Sequence, residues 1–306
     1  MRAFQPGCGI GSVFAYKREK SVLAKEKEWE WEWEIDPEYH WFKWELGAIS
    51  RYKDLLFRLV RRDLLANYQQ TVLGPFWILV QPVLTTLLYW IIFGRIVKVS
   101  TNGVPPLPFY LSGIICWNFF SDVLSGTMYT FITNAAIFSK VWFPRLLVPL
   151  SGILAHSLRL AIQLGLFILL YGYFYLRGQL PAPGIGWFML PFVLLLTGLF
   201  GLGVGLILSV ATAKYRDLDY SLQFILRLWM FASPVFYPAA IVPAGLVLWF
   251  SLNPLTPLIE TFRALCFGPG VIPVVYSWIA VGTVLITLIV GIALFKRHET
   301  SLTDIV

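Results

Sequence analysis

The sequence predicts an all-α membrane protein with about six transmembrane helices. Of its 306 residues, 58% are hydrophobic and only 13% are charged, and the mean hydropathy is +0.70. A water-soluble domain usually has about 25% charged residues, because its surface must be hydrated. The charge is also uneven, since half of the 24 Lys and Arg residues precede residue 76. The bilayer is therefore the expected solvent for most of the chain.

The first 45 residues differ in composition from the rest of the chain. Residues 17–34 are rich in Lys, Glu and Trp and contain no long apolar run. The weakly apolar stretch before them is broken by Pro6 and glycines, and Lys17 and Arg18 follow it instead of preceding it as in a signal peptide. We expect residues 1–45 to form a cytoplasmic N-terminal tail.

Residues 46–70 have the pattern of an amphipathic interfacial helix. Leucines recur at helical spacing between residues 52 and 66, and basic residues occupy the other face. The basic residues include Arg58, Arg61 and Arg62. Such a helix lies in the membrane interface, with its apolar face among acyl chains and its arginines at lipid phosphates.

Six apolar stretches are long enough to cross a bilayer, which takes about 20 residues. They are residues 76–97, 108–131, 147–176, 187–213, 222–238 and 274–295. On one side of these spans lie the basic tail, Lys140, Arg145, Lys214, Arg216, Lys296 and Arg297, and on the other Lys98, Arg177 and Arg263. The positive-inside rule then places both termini in the cytoplasm.

Residues 239–273, between the last two spans, are too apolar for a free loop and contain five prolines. A continuous helix is disfavoured by those prolines. Two short helices that enter the outer leaflet and return could satisfy their backbone groups against protein. We therefore predict a re-entrant hairpin.

The sequence contains no G-x-x-x-x-G-K-[ST] pattern, so the chain has no phosphate-binding loop for ATP hydrolysis. Its Cys and His residues are scattered, and neither a metal site nor a catalytic residue is predicted. The glycine run 198–205 contains G-x-x-x-G, which favours close helix packing in lipid over nucleotide binding. The positive net charge fits lipid headgroups, and nucleic acid is not an expected partner.

Besides Arg95, near the end of the first span, the predicted spans contain the charged residues Asp122, Arg159 and Arg227. An ionisable side chain at the bilayer centre costs at least about 2.5–3.5 kcal/mol, so these groups should face protein or water. Two interpretations stay open. The residues line a substrate pathway, or Asp122 pairs with an arginine to fix helix packing.

The loop between the second and third spans carries many apolar residues for a segment on the cytoplasmic side. Residues 134–145 include Ile137, Phe138, Lys140, Val141, Trp142, Phe143 and Arg145. An exposed apolar patch on such a loop marks a partner site. Burial against the membrane surface is the alternative.

Five ordered segments resemble the permease subunits of type-2 ABC exporters, especially those for O-antigen, teichoic acid and capsule-like polysaccharides. They are YKDLL at 52–56 with RRDL at 61–64, YQQTVLGPFW at 68–77 with Gln81-Pro82, Phe143-Pro144-Arg145 with Pro149, YRDL at 215–218, and SPVFYP at 233–238 with Asn253-Pro254. The resemblance covers residues 52–260.

The resemblance implies a transport subunit and not an enzyme. It implies a homodimer in the bacterial inner membrane, bound to two cytoplasmic ABC ATPase subunits that hold ATP and Mg, with no cofactor on this chain. Residues 46–70 would be the gate helix and residues 134–145 the coupling helix on which an ATPase docks. Residues 71–306 would form the transmembrane domain, and the substrate would be a lipid-linked glycan among membrane lipids.

In such an exporter, aromatic side chains of the first and fifth spans would line a channel, because sugar C–H faces stack on aromatic rings. The candidate residues are Trp77, Tyr89, Trp90, Phe224, Arg227, Trp229, Phe231 and Tyr237. Lipid contact in an interfacial aromatic belt is the alternative for each. The lipid diphosphate would bind arginines of the gate helix or spans, such as Arg58, Arg61 and Arg62.

Three other functions are compatible with parts of the sequence. A membrane-embedded transferase acting on lipid-linked sugar would need clustered acid and base residues, and the spans offer only Asp122 and His156. An ion-coupled carrier would show an internal repeat, which is not evident. An ABC exporter of a small lipid or drug differs from a glycan exporter only in its channel.

Overall fold

The fold is that of a computed structural model, which describes residues 52–68, 74–138, 143–215, 217–243, 245–268 and 274–303. Within these ranges the chain forms ten α-helices and no β-strand. The helices are α1 (Lys53–Tyr68), α2 (Trp77–Tyr89), α3 (Pro106–Met128), α4 (Thr130–Phe138), α5 (Leu147–Leu176), α6 (Leu190–Lys214), α7 (Leu218–Phe231), α8 (Val247–Leu252), α9 (Leu255–Phe267) and α10 (Val274–Thr303). The predicted tail, residues 1–45, lies outside the described residues.

Five helical segments among the described residues are long and apolar enough to cross a membrane. They are Trp77–Ile96, which is α2 continued by a π-helical turn, Pro106–Met128, Leu147–Leu176, Ile185–Lys214 and Val275–His298. These segments correspond to five of the six predicted spans. The prediction of an all-α membrane protein is confirmed.

The helix in the remaining predicted span, residues 222–238, is shorter than expected. Helix α7 has 14 residues, or about 21 Å at 1.5 Å per residue, against a hydrocarbon thickness of about 30 Å. The chain is non-helical after Ala232, where Pro234 and Pro238 cannot continue a helix. This segment, residues 232–238, is named the link.

Helices α3 and α6 form the core of the bundle, and most residues of α2, α5 and α10 are exposed or only partly buried. Helix α6 packs between α3 on one side and α10 on the other. Its glycines permit this arrangement. A Cβ atom on Gly201 would lie 2.8 Å from the Phe120 carbonyl oxygen of α3, and one on Gly203 would lie 2.8 Å from the Leu288 nitrogen of α10. The glycine run therefore serves helix packing, as the sequence predicts.

Replacing Gly203 with alanine is expected to destabilise the protein by about 1–3 kcal/mol, because the new methyl group meets backbone that cannot move aside. Gly165→Ala in α5 is the matched control, since a Cβ atom there meets nothing within 4 Å. The control is expected to retain full stability because alanine favours the helix. Thermal unfolding in detergent distinguishes the two, and equal melting temperatures would contradict the packing argument.

Residues 239–273 contain the two short helices α8 and α9, joined at Asn253 and Pro254. Helix α9 is buried along most of its length and contacts α3, α6 and α10. The two short helices and the burial of α9 fit the predicted hairpin. Re-entry into a leaflet stays a prediction.

Candidate functional site

Helix α1 occupies the position predicted for the gate helix and packs on α5 through its leucine face, where Leu59 is buried. Arg62 donates hydrogen bonds to Asp63 Oδ1 at 2.7 Å and to Asn134 Oδ1 of α4 at 2.8 Å. Arg58 and Arg61 are instead exposed. Of the three arginines predicted to hold a lipid diphosphate, Arg62 is thus engaged in linking α1 to α4.

The predicted coupling region, residues 134–145, begins inside α4 and continues beyond it. Phe138 and Phe143 are buried and contact each other, with ring centroids 5.8 Å apart. Phe131 of α4 lies beside Phe138 and stacks on Phe295 of α10 at 4.8 Å. The prediction that Phe138 and Phe143 form an exposed patch is therefore wrong, because both belong to an aromatic cluster that joins α4 to α10.

The other residues predicted for ATPase coupling divide into two groups. Ile137 is half-buried against the core, and Arg145 lies over the Phe138 ring at 5.9 Å. Lys140, Val141 and Trp142 lie outside the described residues. The role of this set in binding a partner stays a prediction.

Four of the predicted channel residues are packed against protein. Tyr89 contacts the Phe236 ring edge-to-face at 4.4 Å, and Trp90 lies beneath Arg95 at 5.1 Å. Trp229 and Tyr237 form hydrogen bonds. Trp229 Nε1 donates to Asn253 Oδ1 at 3.2 Å, and the Tyr237 hydroxyl donates to the Phe231 carbonyl at 2.9 Å. Each of these four side chains is therefore held by a contact within this chain.

The other four predicted channel residues, Trp77, Phe224, Arg227 and Phe231, are exposed. The last three lie in α7 at positions that share one helix face, because residues three, four and seven apart are neighbours on a helix. We name this surface the α7 face. It combines two phenyl rings with a guanidinium group, which suits contact with a sugar that offers both C–H faces and hydroxyl groups.

Helix α7 is attached to the end of α3 at its first turn. The Tyr129 hydroxyl, just after α3, donates to Asp219 Oδ1, and Gln223 Nε2 donates to the Tyr129 oxygen at 3.1 Å. At the other end of α7, Asn253 Nδ2 donates to Ser233 Oγ at 3.0 Å. Side chains from neighbouring elements therefore fix α7 at both ends.

Arg263 of α9 holds the link in its non-helical conformation. The side chain is buried, and Nη1 and Nη2 donate to the carbonyl oxygens of Pro234 and Val235 at 2.6 and 2.9 Å. Nη1 also pairs with Glu260 Oε1 at 3.1 Å, and the guanidinium lies 3.8 Å from the Phe109 ring of α3. Backbone carbonyls that no helix satisfies are thus paired inside the protein, as is required in a low-dielectric environment.

The sequence analysis counted Arg263 on the outer side, within the predicted hairpin, and did not predict that its side chain is buried in α9. The one sequence signal for its position is Glu260 three residues earlier, a spacing that places both side chains on one helix face.

Asp122 of α3 and Arg159 of α5 form an ion pair, with Oδ2 and Nη1 2.9 Å apart and about a quarter of each side chain exposed. His156, one turn earlier in α5, lies against α3 at Gly126, where a Cβ atom would be 2.8 Å from its Nε2. This geometry favours a role in packing α3 against α5. Contact of the pair with substrate stays a prediction.

The chain belongs to the ABC-2 type transporter family, whose sequence model matches residues 54–267. Among named relatives, it is 27% identical over 264 residues to the O-antigen export system permease protein RfbA of Klebsiella pneumoniae, covering 86% of this chain and 98% of that protein. It is 29% identical over 222 residues to RfbA of Myxococcus xanthus, covering 72% and 82% of the two chains. The polysialic acid transport protein KpsM of Escherichia coli is 26% identical over 251 residues, covering 80% and 94%.

Proposed function

We propose that this chain is the permease subunit of an ATP-driven exporter that moves a lipid-linked polysaccharide, such as an O-antigen, across the bacterial inner membrane. The observation that carries this proposal is the similarity over most of the chain to relatives named for O-antigen export and polysialic acid transport. Both termini would face the cytoplasm, as the distribution of basic residues predicts.

A separate ABC ATPase would bind ATP and Mg, because the sequence has no phosphate-binding loop of its own. Residues 134–145 would dock on it. Two contacts support a mechanical role for this region: the Arg62–Asn134 hydrogen bond joins α4 to the gate helix, and the Phe131–Phe295 stack joins α4 to α10. A displacement of α4 would therefore reach both helices.

A second copy of the chain would complete the channel. Helix α2 exposes apolar side chains along much of its length, including Trp77, and α7 exposes the α7 face. Facing copies would enclose these surfaces between them. The aromatic rings would then provide a sliding surface for a repeating polymer, since stacking tolerates different sugars.

Arg58 and Arg61 would bind the diphosphate of a lipid-linked glycan at the membrane surface, and their exposure supports this role. Guanidinium groups bind phosphate through charge-assisted hydrogen bonds. Arg62 contributes less in this proposal, because Asp63 and Asn134 already accept hydrogen bonds from it.

Co-purification with its ABC ATPase tests the proposed coupling site. We expect Trp142→Ala to reduce the recovered ATPase about 30-fold, since truncating a central interface tryptophan typically costs about 2 kcal/mol. Trp249→Ala in α8 is the control, because Trp249 is exposed and lies in the predicted hairpin on the opposite side. Wild-type protein that retains no ATPase would contradict the exporter and favour a membrane-embedded transferase.

A further inference from the structure

A groove of about 400 Å³ lies between α3, α5 and α6. Its floor is formed by buried side chains, among them Phe119 and Phe167. Its rim contains Ile168 of α5 and Leu195 of α6, which are 54% and 53% exposed. Because rim residues of two membrane-spanning helices are exposed, the groove opens sideways, toward the lipid that surrounds these helices.

The groove is lined by carbon atoms almost throughout. The Ser157 hydroxyl at its wall is already engaged, since it donates to the Ile153 carbonyl at 2.8 Å. The other polar group is the indole N–H of Trp187, which is buried and has no hydrogen-bond partner within the described residues. The groove therefore offers a ligand mainly apolar contacts.

The dimensions of the groove match one lipid chain. On the α6 side its lining runs from Trp187 to Leu199, which is about 18 Å at 1.5 Å per residue. One leaflet of the hydrocarbon core is about 15 Å thick. Trp187 lies near the start of the span Ile185–Lys214, at the depth where lipid esters meet the hydrocarbon and tryptophan is enriched.

We propose that this groove binds one acyl chain of a membrane glycerophospholipid, which is held by apolar contacts with α3, α5 and α6. Water does not fill so apolar a space, and an empty groove would leave its lining without contacts. The groove is lined by residues of α3, α5 and α6 together with Trp187, whereas the surfaces proposed for the second copy lie on α2 and α7. The bound lipid therefore belongs to the outside of the transporter and is distinct from the transported glycan.

Native mass spectrometry after extensive detergent exchange tests the proposal. The variant Ile168→Trp with Leu195→Trp fills the mouth of the groove from both walls, and both positions are exposed enough to accept the larger ring. Leu169→Trp is the matched control, because Leu169 neighbours Ile168, is 75% exposed and does not line the groove.

We expect wild type and Leu169→Trp to retain one glycerophospholipid per chain, and the double variant to retain at least about tenfold less. The proposal is overturned if wild type retains no lipid, if the control loses lipid as the double variant does, or if the retained lipid is a prenyl diphosphate.

Discussion

Replacing Arg263 with methionine is expected to destabilise the protein by about 3–5 kcal/mol, the usual effect of removing one partner of a buried ion pair. The Glu260 carboxylate would be left buried without its cation. The Pro234 and Val235 carbonyls would also lose their donors, and buried carbonyls without partners are costly. Chemical unfolding in detergent and the amount of folded protein in membranes would measure the effect.

Arg177→Met is the matched control, because Arg177 is exposed and its guanidinium lies over Tyr173 at 4.5 Å on the surface of α5. Surface substitutions of this kind usually change stability by less than about 0.5 kcal/mol. Adding Glu260→Met to Arg263→Met should recover part of the loss, since an apolar pair can replace a buried ion pair. If Arg263→Met were as stable as the control, other contacts would hold the link.

Truncating Phe224 and Phe231 to alanine is expected to reduce polysaccharide export at least about tenfold, while the amount of folded permease stays unchanged. Both rings are exposed on the α7 face, so their removal leaves the core intact. If these rings stack on sugar, removing them should slow export, because an activation free energy that is about 1.4 kcal/mol higher lowers the rate of the limiting step tenfold. Surface glycan per permease molecule is the quantity to measure.

A double alanine variant of Phe188 and Phe192, which are exposed at the start of α6, controls for the loss of two lipid-facing rings. It should export at the wild-type rate. If both double variants behaved alike, the phenylalanines of α7 would be contacting lipid, and the channel would have to be lined by other residues.

The sequence predicted the helices that depend on local pattern. Apolar runs of about 20 residues define a span whatever surrounds them, which is why five spans agree with the structure. The amphipathic pattern likewise predicted a helix in residues 46–70, the segment that contains α1, because leucine spacing and arginine spacing both belong to a single helix.

The features that the sequence did not predict depend on contacts between distant segments. Arg263 bonds to carbonyls 28 and 29 residues away, and no periodicity encodes that pairing. The burial of Arg263 was therefore not predicted. Phe138 and Phe143 were interpreted as exposed for a similar reason, since the aromatic cluster that contains them also includes Phe295, which comes from α10.

Residue type alone also could not distinguish, among the eight predicted channel residues, those that pack against protein from those that are exposed. Trp229 and Tyr237 proved to be packing residues because Asn253 and the Phe231 carbonyl lie within hydrogen-bond distance. Phe224 and Phe231 have the same chemistry and lie exposed. The sequence thus indicated an aromatic surface, and its exposed aromatic members are Trp77, Phe224 and Phe231. That these residues line a channel stays a prediction.

The central claim is that this chain exports a lipid-linked polysaccharide. It is tested most directly by deleting the gene and locating the glycan. The account predicts that the lipid-linked polysaccharide is still assembled, accumulates at the cytoplasmic leaflet and disappears from the cell surface, and that wild-type permease restores export. Unchanged surface glycan would contradict the account. Failure to assemble the lipid-linked glycan at all would contradict it as well, because that is the result expected of a transferase.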